Sequence, residues 1–160
     1  MLRFKIPLSG SAPRLALAAA LVYSPWTKEC PKGKFGGGCV LTSEARRENG
    51  DFVASAVVVQ QDGGKTVLRM GVPLGVVLFK GVDAAVDKGP AASGSYTVCL
   101  PGGCLADVNS PPGLLDQLRK GKSLSLQWTA ADGSDASCAV PLDGFAAALD
   151  GPPATAGTKQ

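Results

Sequence analysis

Residues 51–72 read DFVASAVVVQQDGGKTVLRMGV, and the fold class turns on them. The first arm, 51–61, is rich in β-branched residues and is bounded by Asn49-Gly50 and Asp62-Gly63-Gly64. Such side chains lose χ1 freedom in a helix and suit a pleated, half-buried surface. The second arm, 65–72, has the same character, and the intervening glycines permit positive φ. The pair predicts an antiparallel hairpin across QDGGK.

Further strand signals lie on the C-terminal side. GVVLFKG (75–81) and AAVDKG (84–89) are short apolar runs closed by glycines, and both are expected as strands. SYTVCLPGGCLADV (95–108) reads as two arms about a turn. SLSLQWT (123–129) alternates, with Leu124, Leu126 and Trp128 on one face. ASCAVPL (136–142) also alternates, with Cys138, Val140 and Leu142 together, and the Asp-Gly of ADGSD marks the turn between the two. PPGLLDQLRKG (111–121) has helix signals: proline at its start, leucines on one side and Gly121 as a stop. DGFAAALDG (143–151) is a short turn or helix. The sum is an all-β, antiparallel β-sandwich or barrel-like domain with one or two short helices. Residues 21–150 would form it. The tail 151–160 has no core pattern and is expected to be disordered.

At 160 residues the chain suits one domain, and 45% hydrophobic with 18% charged residues is a globular composition. There is no histidine. That removes Ser-His-Asp and Cys-His catalysis, the commonest general base, and every His-ligated zinc or copper site. The net charge of +3 comes from Arg3, Lys5 and Arg14; the remainder balances, 13 basic against 13 acidic residues. A neutral body has no phosphate-binding footprint, so no nucleic-acid partner is expected. The clusters Lys28/Lys32/Lys34 and Arg119/Lys120/Lys122 read as solvated faces.

Residues 1–20 read as a secretory signal peptide. A basic start leads into an apolar run from Leu15 to Tyr23, with A-x-A spacing at Ala16/Ala18 and Ala18/Ala20. The run is far short of the roughly 20 apolar residues that span a bilayer. Cleavage is expected between about Ala18 and Val22, with no lipobox cysteine following. Export would put the cysteines in an oxidising compartment.

The five cysteines are Cys30, Cys39, Cys99, Cys104 and Cys138. Two bridges and one leftover can be drawn in fifteen ways, and sequence alone leaves them open. Locality biases the choice. Cys30 and Cys39 flank PKGKFGGG, and Cys99 and Cys104 flank LPGG, so each pair can close a hairpin. Chain entropy assigns about 2 kcal/mol to the shorter loop and nearly 3 to the longer. The rival readings are weaker. Zinc wants matched C-x₂₋₄-C pairs, whereas Cys30 and Cys39 are too far apart, and thioredoxin-like chemistry wants C-x-x-C at a helix start.

Five pieces in order resemble the invasion-associated locus B (IalB) family: SPWTKEC with Cys39, VPLGVVLFKGVDAAVDKG, YTVCLPGGCLAD, LLDQLRKGKSLSLQW and VPLDGFAAAL. The resemblance covers roughly Trp26 to Leu149. It implies an exported bacterial β-sandwich domain without known catalysis, some members being linked to entry into host cells. With the local spacing it implies the bridges Cys30–Cys39 and Cys99–Cys104, leaving Cys138, which departs from the family pattern, as a buried free thiol. CLPGGC is then a stapled turn in which Pro101 sets φ and Gly102 and Gly103 permit positive φ.

The expectation is a non-enzymatic, virulence-associated type of protein in the periplasm, secreted or on the cell surface. No catalytic residue, metal or small-molecule cofactor is assigned. Its partner would be a protein of the envelope or of a host cell, met through a sheet edge or through two loops. One holds Lys32, Lys34 and Phe35, the other begins at Asn109. An accessory subunit of a membrane or envelope complex, with the N-terminal segment retained, is the alternative. A thiol enzyme using Cys99/Cys104 or Cys138 is a third, and the acids Asp83, Asp87 and Asp107 read as surface groups.

Overall fold

The structure, a computed structural model, describes residues 21–31, 38–61, 63–109 and 113–154. The signal-type segment 1–20 and tail residues 155–160 lie outside the described residues. Described residues form β1 (Leu21–Tyr23), β2 (Thr27–Glu29), β3 (Cys39–Arg47), β4 (Phe52–Gln60), β5 (Thr66–Val72), β6 (Val82–Val86), β7 (Ala92–Leu100), β8 (Gly103–Asn109), β9 (Ser123–Thr129) and β10 (Asp135–Pro141). Two short helices, α1 (Leu114–Lys120) and α2 (Phe145–Asp150), complete them.

All pairings are antiparallel, and the strands follow the order β1-β3-β4-β5-β8-β7-β6-β9-β10, with β2 also on β3. The product is a nearly closed, barrel-like sheet rather than a sandwich of two separate sheets. The reason lies in β7. Its first residues, Ala92–Gly94, pair with β6, and Ser95–Leu100 pair with β8. One strand therefore belongs to both halves of the wall. Gly94 makes the crossing possible, because a Cβ there would lie 2.7 Å from Met70 Cε and 2.8 Å from Val108 Cγ2. A bulge between Tyr96 and Val98 bends the strand just beyond it.

The alternation read at 123–129 and 136–142 points inward: Leu124, Leu126, Trp128, Cys138, Val140 and Leu142 are all buried. Larger inward residues such as Leu41, Leu68 and Met70 interleave with Ala45, Ala54, Ala56 and Ala106, which fills a tapering interior. The 51–72 hairpin forms as β4 and β5, with Gln60 opposite Thr66.

Three features differ from the sequence reading. The run 75–81 is not a strand: Val76 makes an isolated bridge to Ala130, and Leu78–Lys80 form a single 3₁₀ turn. Gly75 and Gly81, at φ of 87° and 67°, turn the chain at both ends, and a Cβ on Gly81 would strike the Gly94 carbonyl oxygen at 2.2 Å. Strand β3 was not anticipated. Its inward positions include Ser43, which is buried because its hydroxyl donates to the Ser24 carbonyl at 2.8 Å. Of the tail, residues 151–154 run beside β2, where the Ala154 N–H donates to the Lys28 carbonyl at 2.8 Å.

The wall closes without a ladder between its outer strands. Trp26, between β1 and β2, donates its indole N–H to the Pro141 carbonyl at the end of β10, at 2.9 Å. Its ring meets Phe145 of α2 edge-on, with centroids 5.0 Å apart. Lys28 Nζ donates to the carbonyls of Leu149 and Gly151 at 2.8 and 3.0 Å, placing a cation on the C-terminal end of α2. Lys28 is thus a helix-end ligand and not part of a solvated basic face.

Trp26→Ala should cost about 3–5 kcal/mol, a large share of the roughly 5–15 kcal/mol that holds a domain together. Trp26→Phe keeps the ring but orphans the Pro141 carbonyl, and should cost about 1–2 kcal/mol. Urea unfolding of both variants measures this; equal and small losses would mean that the seam is held elsewhere.

Candidate functional site

The disulfides sit at hairpin ends. Thr27, Lys28 and Glu29 pair with Thr42, Leu41 and Val40, so the same register brings Cys30 opposite Cys39, and these are bridged. Cys99 is opposite Cys104, also bridged, with Cα atoms 3.9 Å apart. Cys138 is free and buried in β10. Burial pushes its thiol pKa up and keeps it neutral. The Tyr23 hydroxyl on β1 is likewise raised, by burial first and by the Cys138 thiolate's charge second.

The β7–β8 turn departs in one respect from expectation. Of its two glycines, only Gly103 has positive φ, 150°, and a Cβ there would meet the Val72 carbonyl oxygen at 2.5 Å. Gly103 is needed for close approach as well as for its φ. The staple is lopsided, with Cys104 only 2% exposed and Cys99 exposed with the last residues of β7.

Strand directions divide the barrel into two ends. One end carries the β2–β3 and β4–β5 connections, α1 and α2. The contact loops expected from sequence belong there. Lys32, Lys34 and Phe35 lie outside the described residues, as do 110–112, and Asn109 ends β8 with its backbone opposite Val67. The other end collects every exposed large hydrophobic among the described residues: Val22, Leu74, Leu78, Phe79, Val98 and Leu100. Phe79 is 89% exposed. Leu74, Leu78 and Phe79 come from the connection between β5 and β6, and Val98 and Leu100 from the outer half of β7. A groove of about 450 Å³ runs between the 3₁₀ turn and β7, lined by Leu78, Phe79, Tyr96, Thr97, Val98 and Cys99. Beside it the Tyr96 hydroxyl is buried without a hydrogen-bond partner.

The apolar end was missed because VVLF reads as a buried strand. The legible cue was the Pro-Leu-Gly before it and the glycine after it, which bracket a run too short to cross the barrel.

The acids weighed from sequence are engaged structurally. Asp83 accepts from the Ser93 hydroxyl at 2.6 Å. Asp87, at φ 52°, accepts from the N–H groups of Lys122 and Ser123. Asp107 takes both arms of the Arg69 guanidinium, at 2.7 and 2.8 Å, and this bond raises the Arg69 pKa. Among the described residues no group of three or more Cys, Asp or Glu converges as a metal site, and no helix is long and apolar enough to cross a membrane.

Two cross-strand staples on a nearly closed antiparallel wall define a disulfide-braced β-domain, and paired half-cystines are the chemistry of an oxidising, extracytoplasmic compartment. The chain belongs to the Invasion associated locus B (IalB) protein family, whose sequence profile matches residues 26–153. It is 30% identical over 144 residues to the invasion protein B homologs of Brucella abortus strain 2308 and of biovar 1 strain 9-941. The aligned region takes in 89% of this chain and 83% of each relative. Its fold is similar to the crystal structure of invasion associated protein B from Bartonella henselae, with a TM-score of 0.71 and 26% identity over 81% of this chain and 90% of that one. These relatives are named for invasion rather than for an enzymatic activity.

Two outcomes follow from the cysteines. Replacing Cys99 and Cys104 together by alanine should leave the protein folded and lower its stability by about 2 kcal/mol, with faster amide exchange confined to the β7–β8 turn; unfolding of the whole domain would contradict this. For Cys138, the unfolded thiol ionises near its ordinary pKa of about 8.5 while the folded one stays neutral. Its contribution to stability is therefore complete below that value and is lost as pH rises above it, before Tyr23 titrates in turn. Urea midpoints of the wild type should fall between neutral pH and about pH 9.5, and Cys138→Ala should flatten the slope.

Proposed function

We propose that this chain is an exported, non-catalytic protein of the bacterial envelope that acts by binding another protein through the apolar end of its barrel. The observation that carries this reading is the gathering of Leu74, Leu78, Phe79, Val98 and Leu100 at one end. Leu78, Phe79 and Val98 line one groove, and exposed apolar patches of this kind mark contact surfaces. The disulfides support export. The names of the Brucella and Bartonella relatives support a role in contact with a host, so the partner is a protein of the envelope or of a host-cell surface.

Processing fits the same reading. A cut after Ala20 keeps every described residue of β1, Leu21–Tyr23, whereas a cut after Val22 removes two of the three.

In producing cells the mature protein should begin between residues 19 and 21 and be found outside the cytoplasm with both bridges formed. A photo-crosslinking side chain at Phe79 should capture a protein that the same group at Gln61, on the opposite end, does not. A cytoplasmic, reduced protein, or identical capture from both positions, would defeat the proposal.

A further inference from the structure

Strand β4 carries a buried hydroxyl on its outer side. Ala54 and Ala56 face the interior, so strand alternation turns Ser55 to the outside of the wall, yet Ser55 is only 9% exposed. Its register partner on β5 is Gly71. A Cβ on Gly71 would lie 2.4 Å from Ser55 Oγ, 3.5 Å from Leu105 Cδ2 and 3.6 Å from Phe52 Cζ. The hydroxyl thus occupies the space where a side chain of β5 would stand, walled by an aromatic ring and a leucine. Among the described residues it makes no hydrogen bond. Buried polar groups nearly always find a partner, and each exception asks for a reason.

Ser55 lines a recess of about 460 Å³ on the outside of β3, β4, β5 and β8. Small-molecule sites have about 300–1,000 Å³. Gly103 extends the floor, and the Phe52 ring packs against it too, with Cε2 3.5 Å from where a Cβ would stand. Glu44 and Arg46 of β3, both partly exposed, line the same recess. Arg46 Nε donates to Glu44 Oε1 at 2.9 Å, Nη1 donates to the Gly50 carbonyl at 2.8 Å, and the guanidinium carbon lies 5.7 Å from the Phe52 ring centroid. These contacts fix the guanidinium. Among the described residues they leave Arg46 Nη2 as a free donor and Glu44 Oε2 as a free acceptor.

We propose that this recess binds a neutral saccharide, with the hydroxyls of one pyranose ring meeting Ser55, Glu44 and Arg46 and its C–H face lying against Phe52, Leu100 and Leu105. The proposal goes beyond the protein-binding reading and uses none of the groove beside Phe79. The charges at the rim select the class. Arg46 and Glu44 neutralise one another, so a carboxylate ligand would meet Glu44 and an ammonium would meet Arg46, each as a like charge. A hydroxyl both donates and accepts, and adjacent ring hydroxyls can give to Glu44 and take from Arg46 at once. A single amide has one donor and one acceptor, which leaves Ser55 unmet. A pyranose has a further hydroxyl for it, and its ring carbons suit the apolar walls.

Amide NMR shifts of the oxidised protein, titrated with the methyl glycosides of glucose, galactose, mannose and N-acetylglucosamine, test this. At least one glycoside should give saturable shifts at Ser55, Gly71 and Gly103 with a millimolar Kd, whereas acetate and acetylalanine amide should give none. Ser55→Ala should weaken that binding at least about tenfold without lowering the urea midpoint, because the free fold loses no hydrogen bond. Glu44→Gln, at an exposed side chain, should weaken it as well. The matching disaccharide should bind more tightly than the monosaccharide if the natural ligand is a glycan chain, and equally if it is a free sugar. No saturable shift with any glycoside would overturn the proposal. So would a response to acetate or to the amide alone, or a Ser55→Ala variant of reduced stability, which would make the hydroxyl a structural group. Each of these leaves the proposed function standing.

Discussion

A sheet that curls almost into a cylinder must solve the problem of its own two edges, and here one indole does so. The outermost strands approach without sharing a ladder, so their free main-chain groups would otherwise be left to water or to other chains. Trp26 spans the gap, giving its N–H to the Pro141 carbonyl and its ring to Phe145. The other closures depend on this one. Phe145 sets the position of α2, and the end of α2 is where Lys28 reaches the carbonyls of Leu149 and Gly151. Residues 151–154 then lie along β2. A short helix with no side-chain cap at its start is thereby held by contacts that begin in the first strands of the chain.

The two ends of the barrel are built by different means. At one, helices and apolar packing close the interior, with Leu114 and Leu118 of α1 and Phe145 and Leu149 of α2 all buried. At the other no α-helix lies among the described residues. A hairpin braced by a disulfide stands beside a 3₁₀ turn, and the side chains that could have formed a plug face outward. The brace sits where it is needed, since the outer half of β7 has a partner strand on one side only. A covalent tie between opposed residues keeps an exposed, apolar, half-paired hairpin in one conformation when burial cannot.

The fold was legible where one physical signal dominated. Clean alternation at 123–129 and 136–142 gave β9 and β10 with their inward faces, and the glycine-rich turn at 62–64 gave β4 and β5. It was illegible where a residue's place is set by a distant partner. Ser43 reads as polar and therefore outward, yet it is inside because Ser24, on a different strand edge, offers a carbonyl. The three-residue strands β1 and β2 carry too few side chains for any period to show, and they exist because β3 lies ready to pair with them. The apolar end failed for a further reason. Hydrophobicity says that a residue prefers burial, but only topology says whether burial is available. The run Val76–Phe79 has the composition of a core strand but falls in a connection that passes over the rim.

The odd cysteine gives the chain an ordering problem during oxidation. Five thiols must sort into two bridges, and a wrong bridge to Cys138 would tear β10 from the interior it lines. Short loops close faster than long ones, and the native partners are nine and five residues apart, whereas Cys138 lies 34 residues beyond Cys104. Cys99 can reach Cys104 while the last strand is still unfolded. Once β10 docks, the remaining thiol is both hidden and neutral, two conditions that starve thiol–disulfide exchange of its thiolate. Proofreading of the cross-links is thus written into sequence separation and strand order, and the chain can tolerate an unpaired cysteine in its interior with no dedicated partner to guard it.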